Sequence, residues 1–366
     1  MDYYSKYIKY KIKYLKNKKF LGGSETNLKY YNLGQKKYNF EIQTFLDIKE
    51  GTAMLFIKDY MIVITKPGIV YKISSDKNIK LIKNFKIDNA NFTNDDMEQG
   101  LLGIAYNSKT NLFYISYTEN TNNKEFAMNL VISKYRLLNE KLIENKIILK
   151  IPFRNPNHHG GTLEIGPDDK LYLSTGDGGP QNDPHNEAQN PNTLRGKIIR
   201  IDLKTNEPEI IAMGIRNAWK FTFDNQNRLW FGDVGWEKSE KVCLINNLNK
   251  KYNFGWSYFE GSIQNKPGKK FEQFDPPIFE YPTDAKTGRS VIGGYFLDQF
   301  NTYFFADYLG FLKAIKFNNN KWKQVAFQKL ENNNEIIYSL GYDGQNLYCL
   351  TNQQIYIIKI LQIEKF

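Results

Sequence analysis

The sequence is poor in cysteine and in long apolar runs. Its 366 residues contain two cysteines, Cys243 and Cys349, which lie in separate apolar stretches without metal-type spacing. This excludes a disulfide framework and a cysteine-based zinc site, while a single bridge between the two stays open. No apolar run reaches the length of a transmembrane helix, and the N-terminus lacks the apolar core of a signal peptide. We therefore expect an intracellular protein without a membrane span.

Positive charge is abundant but unevenly distributed. The net charge is +11, from 50 Lys and Arg residues against 39 Asp and Glu residues. Residues 1–20 contain seven lysines and one aspartate, so they carry +6 and leave only +5 for the rest of the chain. The basicity is therefore mainly that of an N-terminal tail, which we assign with its linker to residues 1–37. Such a tail either binds a polyanion or an assembly partner, or is simply a solvated segment.

The N-terminal tail has low sequence complexity. Lys alternates with Ile and Tyr from Ile8 to Tyr14, and the segment ends in Leu21-Gly22-Gly23. In these features it resembles extensions on otherwise unrelated proteins of large DNA viruses. The resemblance covers only this segment, and it implies a viral protein that is located inside a cell or in the virion. A role in association with nucleic acid would rest on this tail alone.

Aromatic residues are plentiful, and one hairpin pattern recurs. Tyr and Phe number 25 each, which favours strands over helices. An apolar strand, a short turn rich in Asp and Asn, and an aromatic strand return six times, at 55–64, 104–115, 163–173, 221–231, 295–305 and 340–350. Such a repeat, with further strands between the copies, is typical of a β-propeller, in which neighbouring blades cover each other's faces.

We therefore predict an all-β fold, a six-bladed β-propeller over residues 38–366. Two stacked sandwiches would explain the strand content but not the regular return of one hairpin. The long segment between Cys243 and Arg289 has little regular pattern, and we expect it to form a lid or wall over one end of the channel.

All three histidines lie in one segment, residues 156–203. His158 precedes a hairpin predicted at 162–165 and 170–174, and Asp177 follows it, so both side chains should emerge at the same end. A histidine beside a carboxylate that fixes its tautomer is the minimal general base. The alternative is a structural role, with His158 as a turn residue and Asp177 in an Asx turn.

Further polar motifs stand at the entrances or exits of other hairpins, so a propeller would bring them to the same mouth. Gln99 precedes the second hairpin, and Arg216 and Asn217 precede the fourth. Gly235 and Trp236 follow the fourth hairpin. Structural roles stay open here too, since Arg216 could tie blades together through carbonyl groups and Gln99 could cap a strand.

The order of these motifs resembles that of the soluble quinoprotein glucose/sorbosone dehydrogenase family, and in particular its Hedgehog-interacting-protein-like branch. The similarity covers roughly residues 40–360, and it is the combination of motifs that is specific. The motifs are Gln99-Gly-Leu-Leu-Gly103, His158-x-Gly-Gly161, Thr175-Gly-Asp-Gly-Gly179, Asp183-Pro-x-Asn-x-Ala-Gln-Asn190, Leu194-x-Gly-Lys-Ile-x-Arg-Ile-Asp202, Gly214-x-Arg-Asn217, Gly232-Asp-Val-Gly235, Asn253-x-Gly-Trp256 and Gly293-Gly-Tyr295.

The resemblance implies a cofactor, pyrroloquinoline quinone (PQQ), with Ca²⁺ at the channel mouth. His158 would take the proton of a sugar or alcohol hydroxyl while hydride passes to the quinone, and Asp177 would orient His158. The other implied contacts are Gln99, Arg216 and Asn217 to the quinone, and the carbonyl groups of Gly235 and Trp236 to Ca²⁺. The implied function is that of a PQQ-dependent aldose or alcohol dehydrogenase.

The sequence departs from the family pattern where cations meet the carboxylates of the cofactor. The basic residue expected after Gly293-Gly-Tyr295 is replaced by Asp298 or its neighbours, and Phe311 follows Gly310 where the family has arginine. Lys313 is then the nearest cation for this role. A second function therefore stays open, namely a non-catalytic propeller that binds a protein or a glycan through its mouth.

Overall fold

The computed structural model describes residues 36–89, 91–94, 98–332 and 335–363. Six sheets of four or five strands form the blades of a β-propeller, which confirms the predicted fold class. The only α-helix in these ranges is α1 (Phe85–Asp88), and two 3₁₀ turns lie at Phe271–Gln273 and Asp298–Phe300. No helix within the described ranges has the length and apolar character needed to cross a membrane.

The strands follow one another blade by blade, with two exceptions. Strand β1 (Tyr38–Asp47) belongs to blade 6, and β17 (Tyr252–Asn253), which comes after three strands of blade 4, belongs to blade 3. Blade 1 contains β2 (Gly51–Ile57), β3 (Tyr60–Thr65), β4 (Ile69–Ser74) and β5 (Ile79–Asn84). Blade 2 contains β6 (Leu101–Asn107), β7 (Leu112–Asn120), β8 (Met128–Leu138) and β9 (Lys141–Phe153). Blade 3 contains β10 (Leu163–Ile165), β11 (Leu171–Thr175), β12 (Lys197–Ile201), β13 (Pro208–Met213) and β17 (Tyr252–Asn253).

The second half of the ring repeats this plan. Blade 4 contains β14 (Ala218–Phe223), β15 (Leu229–Asp233), β16 (Ser239–Ile245) and β20 (Phe279–Pro282). Blade 5 contains β21 (Val291–Leu297), β22 (Thr302–Asp307), β23 (Phe311–Asn318) and β24 (Lys321–Lys329). Blade 6 contains β25 (Ile337–Tyr342), β26 (Leu347–Thr351), β27 (Gln354–Gln362) and β1. A separate small hairpin is formed by β18 (Phe259–Glu260) and β19 (Ile263–Gln264).

The ring closes through blade 6. Strand β1 pairs antiparallel with β27, from Tyr38 opposite Gln362 to Asp47 opposite Gln354. Strand β1 begins at Tyr38, where the sequence places the start of the propeller, whereas the predicted basic tail lies outside the described residues. Pairing of the first with the last blade strand fastens the ring, because no blade can bury both of its faces alone.

The apolar core is divided among the gaps between blades. Six buried clusters each combine side chains of two adjacent blades, including blades 6 and 1. Between blades 4 and 5, for example, the indole of Trp230 stacks on Tyr303 with a ring separation of 4.7 Å. Burial of one such side chain contributes roughly 1.5–3 kcal/mol. Both cysteines are free and buried within these clusters, so the bridge left open by the sequence does not form.

The blade plan determines where the polar motifs lie. The innermost strands β2, β6, β10, β14, β21 and β25 all start at the same end of the ring. Residues that precede these strands, and residues that follow the second strand of each blade, therefore gather at one mouth of the central channel. The turns between first and second strands lie at the opposite end.

Candidate functional site

A buried histidine–aspartate pair lies at this mouth. His158 Nδ1 lies 2.6 Å from Asp177 Oδ1, and the two residues are 5% and 1% exposed. His158 has a φ of 56°, and after His159 two glycines with positive φ, Gly160 and Gly161, turn the chain into β10. A Cβ at Gly176 would lie 2.2 Å from the His158 carbonyl oxygen, so only glycine permits this close approach. The structure thus brings together the two residues that flank one hairpin.

The surroundings of Asp177 keep it ionised. Burial opposes ionisation, but the contact with His158, the charge of Arg216 and the hydrogen bonds outweigh it, so that the pKa of Asp177 lies below its usual value. Trp256 Nε1 donates to Oδ2 at 2.7 Å, and the Gly179 N–H donates to Oδ1 at 2.9 Å. An ionised acceptor at Nδ1 places the imidazole proton there and leaves Nε2 as the basic nitrogen.

Arg216 contacts that basic nitrogen. Its NH2 group lies 3.0 Å from His158 Nε2, and its NH1 group donates to the Val234 carbonyl at 3.3 Å. The backbone N–H of Arg216 donates to Asp233 Oδ1 at 3.0 Å, which anchors the loop before β14. Its Nε is buried without a hydrogen-bond partner among the described residues. Donation from Arg216 fits a neutral imidazole whose lone pair points into the mouth.

Asn217 and Glu98 link blades 2, 3 and 4 beside the pair. Asn217 Oδ1 accepts the Gly160 N–H at 3.1 Å, and its amide donates to Glu98 Oε2 at 3.1 Å. Glu98 Oε2 also accepts the His159 N–H at 3.3 Å. The neighbouring Gln99 is buried, and its Oε1 accepts the Thr93 hydroxyl at 2.7 Å. Gln99 therefore lies beside the site with its amide engaged within blade 2.

The loop after β15 holds Gly235 and Trp236. The backbone N–H groups of residues 236–239 all donate to Glu260 Oε1, at 2.7, 2.9, 2.8 and 3.1 Å. Gly235 N–H donates to Glu240 Oε2 at 3.0 Å. With its N–H groups turned onto carboxylates, the loop can present carbonyl oxygens, a donor type that Ca²⁺ accepts. Across the described residues, no group of three or more His, Cys, Asp or Glu side chains is arranged as a metal site.

Lys313 is buried, and its amine is engaged within the protein. It is 1% exposed, its Nζ donates to the Thr287 carbonyl, and it lies over the Tyr281 ring at 3.1 Å from the centroid. Burial lowers the pKa of this amine to about 7. A lysine held in this way does not offer a solvated charge to a carboxylate of a ligand.

The two positions at which the sequence departs from the family pattern occupy different places. Asp298 stands in the turn after β21, at the end of the ring opposite His158, where its Oδ2 accepts Asn225 Nδ2 at 2.6 Å. The expectation that Asp298 occupies a cofactor-facing place is therefore wrong, because β21 carries the chain away from the mouth. Phe311 starts β23 on the mouth side, where it is buried and stacks on Phe327 at 5.0 Å.

Four residues of the site were not singled out from the sequence. Asp233 and Trp256 lie within recognised motifs, and Glu98 directly precedes one, so the sequence indicated the positions of these three residues. Trp256 and Glu260 belong to the irregular segment predicted to form a wall, and Trp256 does wall the mouth by its contact with Asp177. Nothing in the local sequence indicates that Glu260 binds the loop 236–239, because that contact is set by the tertiary fold.

Comparison with known proteins agrees with this architecture. The aldose sugar dehydrogenase of Escherichia coli, in its apo form, superposes with a TM-score of 0.70 at 18% identity, covering 88% of this chain and 99% of that one. The PQQ-bound aldose sugar dehydrogenase of Streptomyces coelicolor gives a TM-score of 0.69 at 17% identity, with coverage of 88% and 99%. At these identities the likeness shows a common fold.

Sequence relatives include both enzymes and proteins with other names. The HIPL2 protein of Arabidopsis thaliana is 32% identical over 41% of this chain and 28% of its own length. The quinoprotein glucose dehydrogenase B of Acinetobacter calcoaceticus is 25% identical over 62% of this chain and 54% of its own length. The human Hedgehog-interacting protein is 27% identical over 43% of this chain and 23% of its own length. The chain thus spans about half or less of the length of these curated relatives.

The family profile described as Glucose / Sorbosone dehydrogenase matches residues 48–342, which include blades 1 to 5 and the innermost strand of blade 6. Together with the propeller and the motif order at its mouth, this match shows that the chain belongs to the glucose/sorbosone dehydrogenase family, with relatives in its Hedgehog-interacting-protein-like branch.

Proposed function

We propose that this protein is a sugar or alcohol dehydrogenase in which His158 acts as the general base. The observation that carries this proposal is the buried His158–Asp177 pair, with a 2.6 Å contact at Nδ1 and the basic Nε2 directed at Arg216. A structural histidine would not need an ionised partner that is itself fixed by Trp256 and Gly179. The substrate class follows from the relatives, whose names include aldose sugar and glucose dehydrogenases.

In the proposed reaction the substrate hydroxyl takes the place of the Arg216 donor at His158 Nε2. The hydroxyl proton moves to Nε2, and the resulting imidazolium is stabilised by the Asp177 carboxylate. Arg216 then remains close to the oxygen that has lost its proton, where its positive charge stabilises developing negative charge. Loss of a positioned base typically lowers the rate by roughly 10²–10⁴-fold.

The part of the mouth around His158 has donors and carbonyl groups of the types that PQQ and Ca²⁺ would need. Arg216, Asn217 and Gln99 would face the quinone, and the unpartnered Arg216 Nε is a donor available to it. The Gly235 and Trp236 carbonyl groups, positioned by Glu240 and Glu260, would meet Ca²⁺. When bound, PQQ would supply the acceptor for the substrate hydride, and Ca²⁺ would polarise the quinone carbonyl.

A second candidate is a non-catalytic propeller that binds a protein or a glycan through this mouth. The buried position of Lys313 and the packing of Phe311 on Phe327 favour it, because neither position offers a charge to the cofactor's carboxylates. A hydrogen bond to a charged group contributes roughly 1.5–3 kcal/mol, so losing two such contacts would weaken PQQ binding by several kcal/mol. The HIPL2 and Hedgehog-interacting relatives agree with either candidate.

The basic tail of residues 1–20 adds a further proposal, the binding of a polyanion or of an assembly partner inside a cell or virion. It rests on the seven lysines of the sequence, and the segment lies outside the described residues. This proposal concerns a site separate from the mouth, and the two can be tested independently.

The dehydrogenase proposal is tested by dye reduction with an aldose in the presence of PQQ and Ca²⁺. His158→Asn is the suitable variant, since asparagine tolerates the left-handed backbone at this position and cannot act as a base. The variant should lose activity by roughly 10²–10⁴-fold, while His185→Asn, at an exposed histidine, should retain it. If His158→Asn is as active as the unaltered protein, His158 is not the base.

A further inference from the structure

A second space lies deeper in the channel than the site. It is a cavity of about 240 Å³ bounded by all six innermost strands. The residues of the candidate site precede these strands, whereas the residues around the cavity lie within them, so the cavity is further from the mouth. Its titratable side chains are Glu164, Lys220, Tyr295 and Tyr342.

Two consecutive residues of β14 cross the channel between mouth and cavity. Trp219 Nε1 donates to the Tyr338 carbonyl of blade 6 at 2.8 Å. Lys220 Nζ donates to the Leu102 carbonyl of blade 2 at 2.9 Å, and it lies 5.1 Å from the Trp219 ring. Both residues lie nearer the mouth along β14 than Phe221 and Thr222, which line the cavity, whereas His158 precedes the innermost strand of blade 3. Chemistry in the cavity is therefore distinct from chemistry at the mouth.

Lys220 is a buried amine without a counter-ion. It is 7% exposed, and among the described residues no carboxylate forms an ion pair with its Nζ. Burial alone lowers the pKa of Lys220 to about 7. Glu164 lines the same cavity, and burial raises its pKa to about 8. Near neutral pH the cavity thus contains a nucleophilic amine and a protonated carboxyl group.

We propose that the central cavity binds small aldehydes or ketones and that Lys220 Nζ condenses with their carbonyl carbon to form an imine. The amine lone pair attacks the carbonyl carbon, and the carbonyl oxygen takes up a proton to give a carbinolamine. The carbon–oxygen bond then breaks, and the oxygen leaves as water with one further proton, while nitrogen and carbon form the double bond. Glu164 is the proton donor in the cavity for this loss of water.

Two other lysines serve as internal controls, because burial also lowers their pKa to about 7. Lys197 Nζ is surrounded by three carbonyl oxygens, of Glu187, Ala188 and Arg195, at 2.8, 3.1 and 2.6 Å. Lys313 Nζ is held by the Thr287 carbonyl and the Tyr281 ring. Neither borders the central cavity. If the cavity matters, Lys220 should react and these two should not.

The test is reductive trapping of the full-length protein with propionaldehyde and cyanoborohydride at pH 7, followed by peptide mapping. At that pH an ordinary lysine with a pKa of ~10.4 has roughly 10³-fold less free amine than Lys220. We expect Lys220 to be alkylated at least ~10²-fold faster than exposed lysines, with a rate that rises with pH around a midpoint near 7.

Lys220→Arg supplies the matched variant, since it keeps a long donor toward blade 2 but cannot form an imine. It should lose the fast modification while retaining the thermal unfolding transition of the unaltered protein. Absence of modification at Lys220 in the folded protein overturns the proposal, and so does equal modification of Lys197 and Lys313. If Lys220→Arg fails to fold, the comparison of the three lysines within the unaltered protein decides. The experiment contains neither PQQ nor Ca²⁺, so its outcome is independent of the dehydrogenase proposal.

Discussion

Replacing Glu260 with glutamine should loosen the loop that carries Gly235 and Trp236. Glu260 is fully buried, and one of its oxygens accepts four consecutive backbone N–H groups. A hydrogen bond to a charged acceptor is worth roughly 1.5–3 kcal/mol against 0.5–1.5 kcal/mol for a neutral one. Four donors on one oxygen do not add fully, so we expect the free energy of unfolding to fall by about 2–4 kcal/mol.

Urea unfolding measures this loss, and hydrogen exchange locates it. In Glu260→Gln the amides of residues 236–239 should exchange faster, while amides of the distant strand β1 should change only by the global loss of stability. Glu272→Gln is the control, because Glu272 is exposed and should change stability by less than about 0.5 kcal/mol. A Glu260→Gln protein with unchanged stability, or with unchanged exchange at 236–239, would refute the role of Glu260 in holding this loop.

Three further changes have defined outcomes. Asp177→Asn removes the charge that orients His158, and dye reduction should fall by roughly 10²-fold or more, whereas unchanged turnover would mean that Asp177 is not the orienting group. Lys220 has a pKa of about 7 when folded and ~10.4 when unfolded, so the unfolded chain binds the extra proton between these values. In urea unfolding from pH 7.5 to 9.5, the free energy of unfolding of the unaltered protein, relative to that of Lys220→Met, should therefore rise by about 1.4 kcal/mol per pH unit. A difference that does not change with pH would contradict this. Deletion of residues 1–20 should leave Tm unchanged and reduce retention on a heparin column; a large fall in Tm would show that the tail stabilises the fold.

The fold was predictable because its information is local and repeated. Each blade contributes one hairpin whose period and turn residues can be read within about a dozen positions, and the number of copies gives the number of blades. The His158–Asp177 contact was predictable for the same reason. Both residues flank β10 and β11, and an antiparallel hairpin must bring its two ends together.

Contacts between distant segments could not be predicted in this way. Trp256 meets Asp177 across 79 positions of sequence, through a segment without periodic pattern. The contacts of the Lys313 side chain could not be predicted from the sequence either, because a lysine in an apolar strand can extend to solvent or pack against a carbonyl group and a ring. The prediction from sequence placed Asp298 at the wrong end of the ring. The strand β21 rises about 3.3 Å per residue, so the few residues after the motif already reach the end opposite the mouth.

We propose that the mouth around His158 and Arg216 holds a redox cofactor. Calorimetric titration of PQQ into the full-length, Ca²⁺-loaded protein tests it most directly, with Arg216→Gln as the matched variant. We expect saturable binding that requires Ca²⁺ and is weaker in Arg216→Gln, since the guanidinium lies at the basic nitrogen of His158. Absence of binding by a correctly folded, Ca²⁺-loaded protein would contradict the dehydrogenase function and leave the binding propeller in its place.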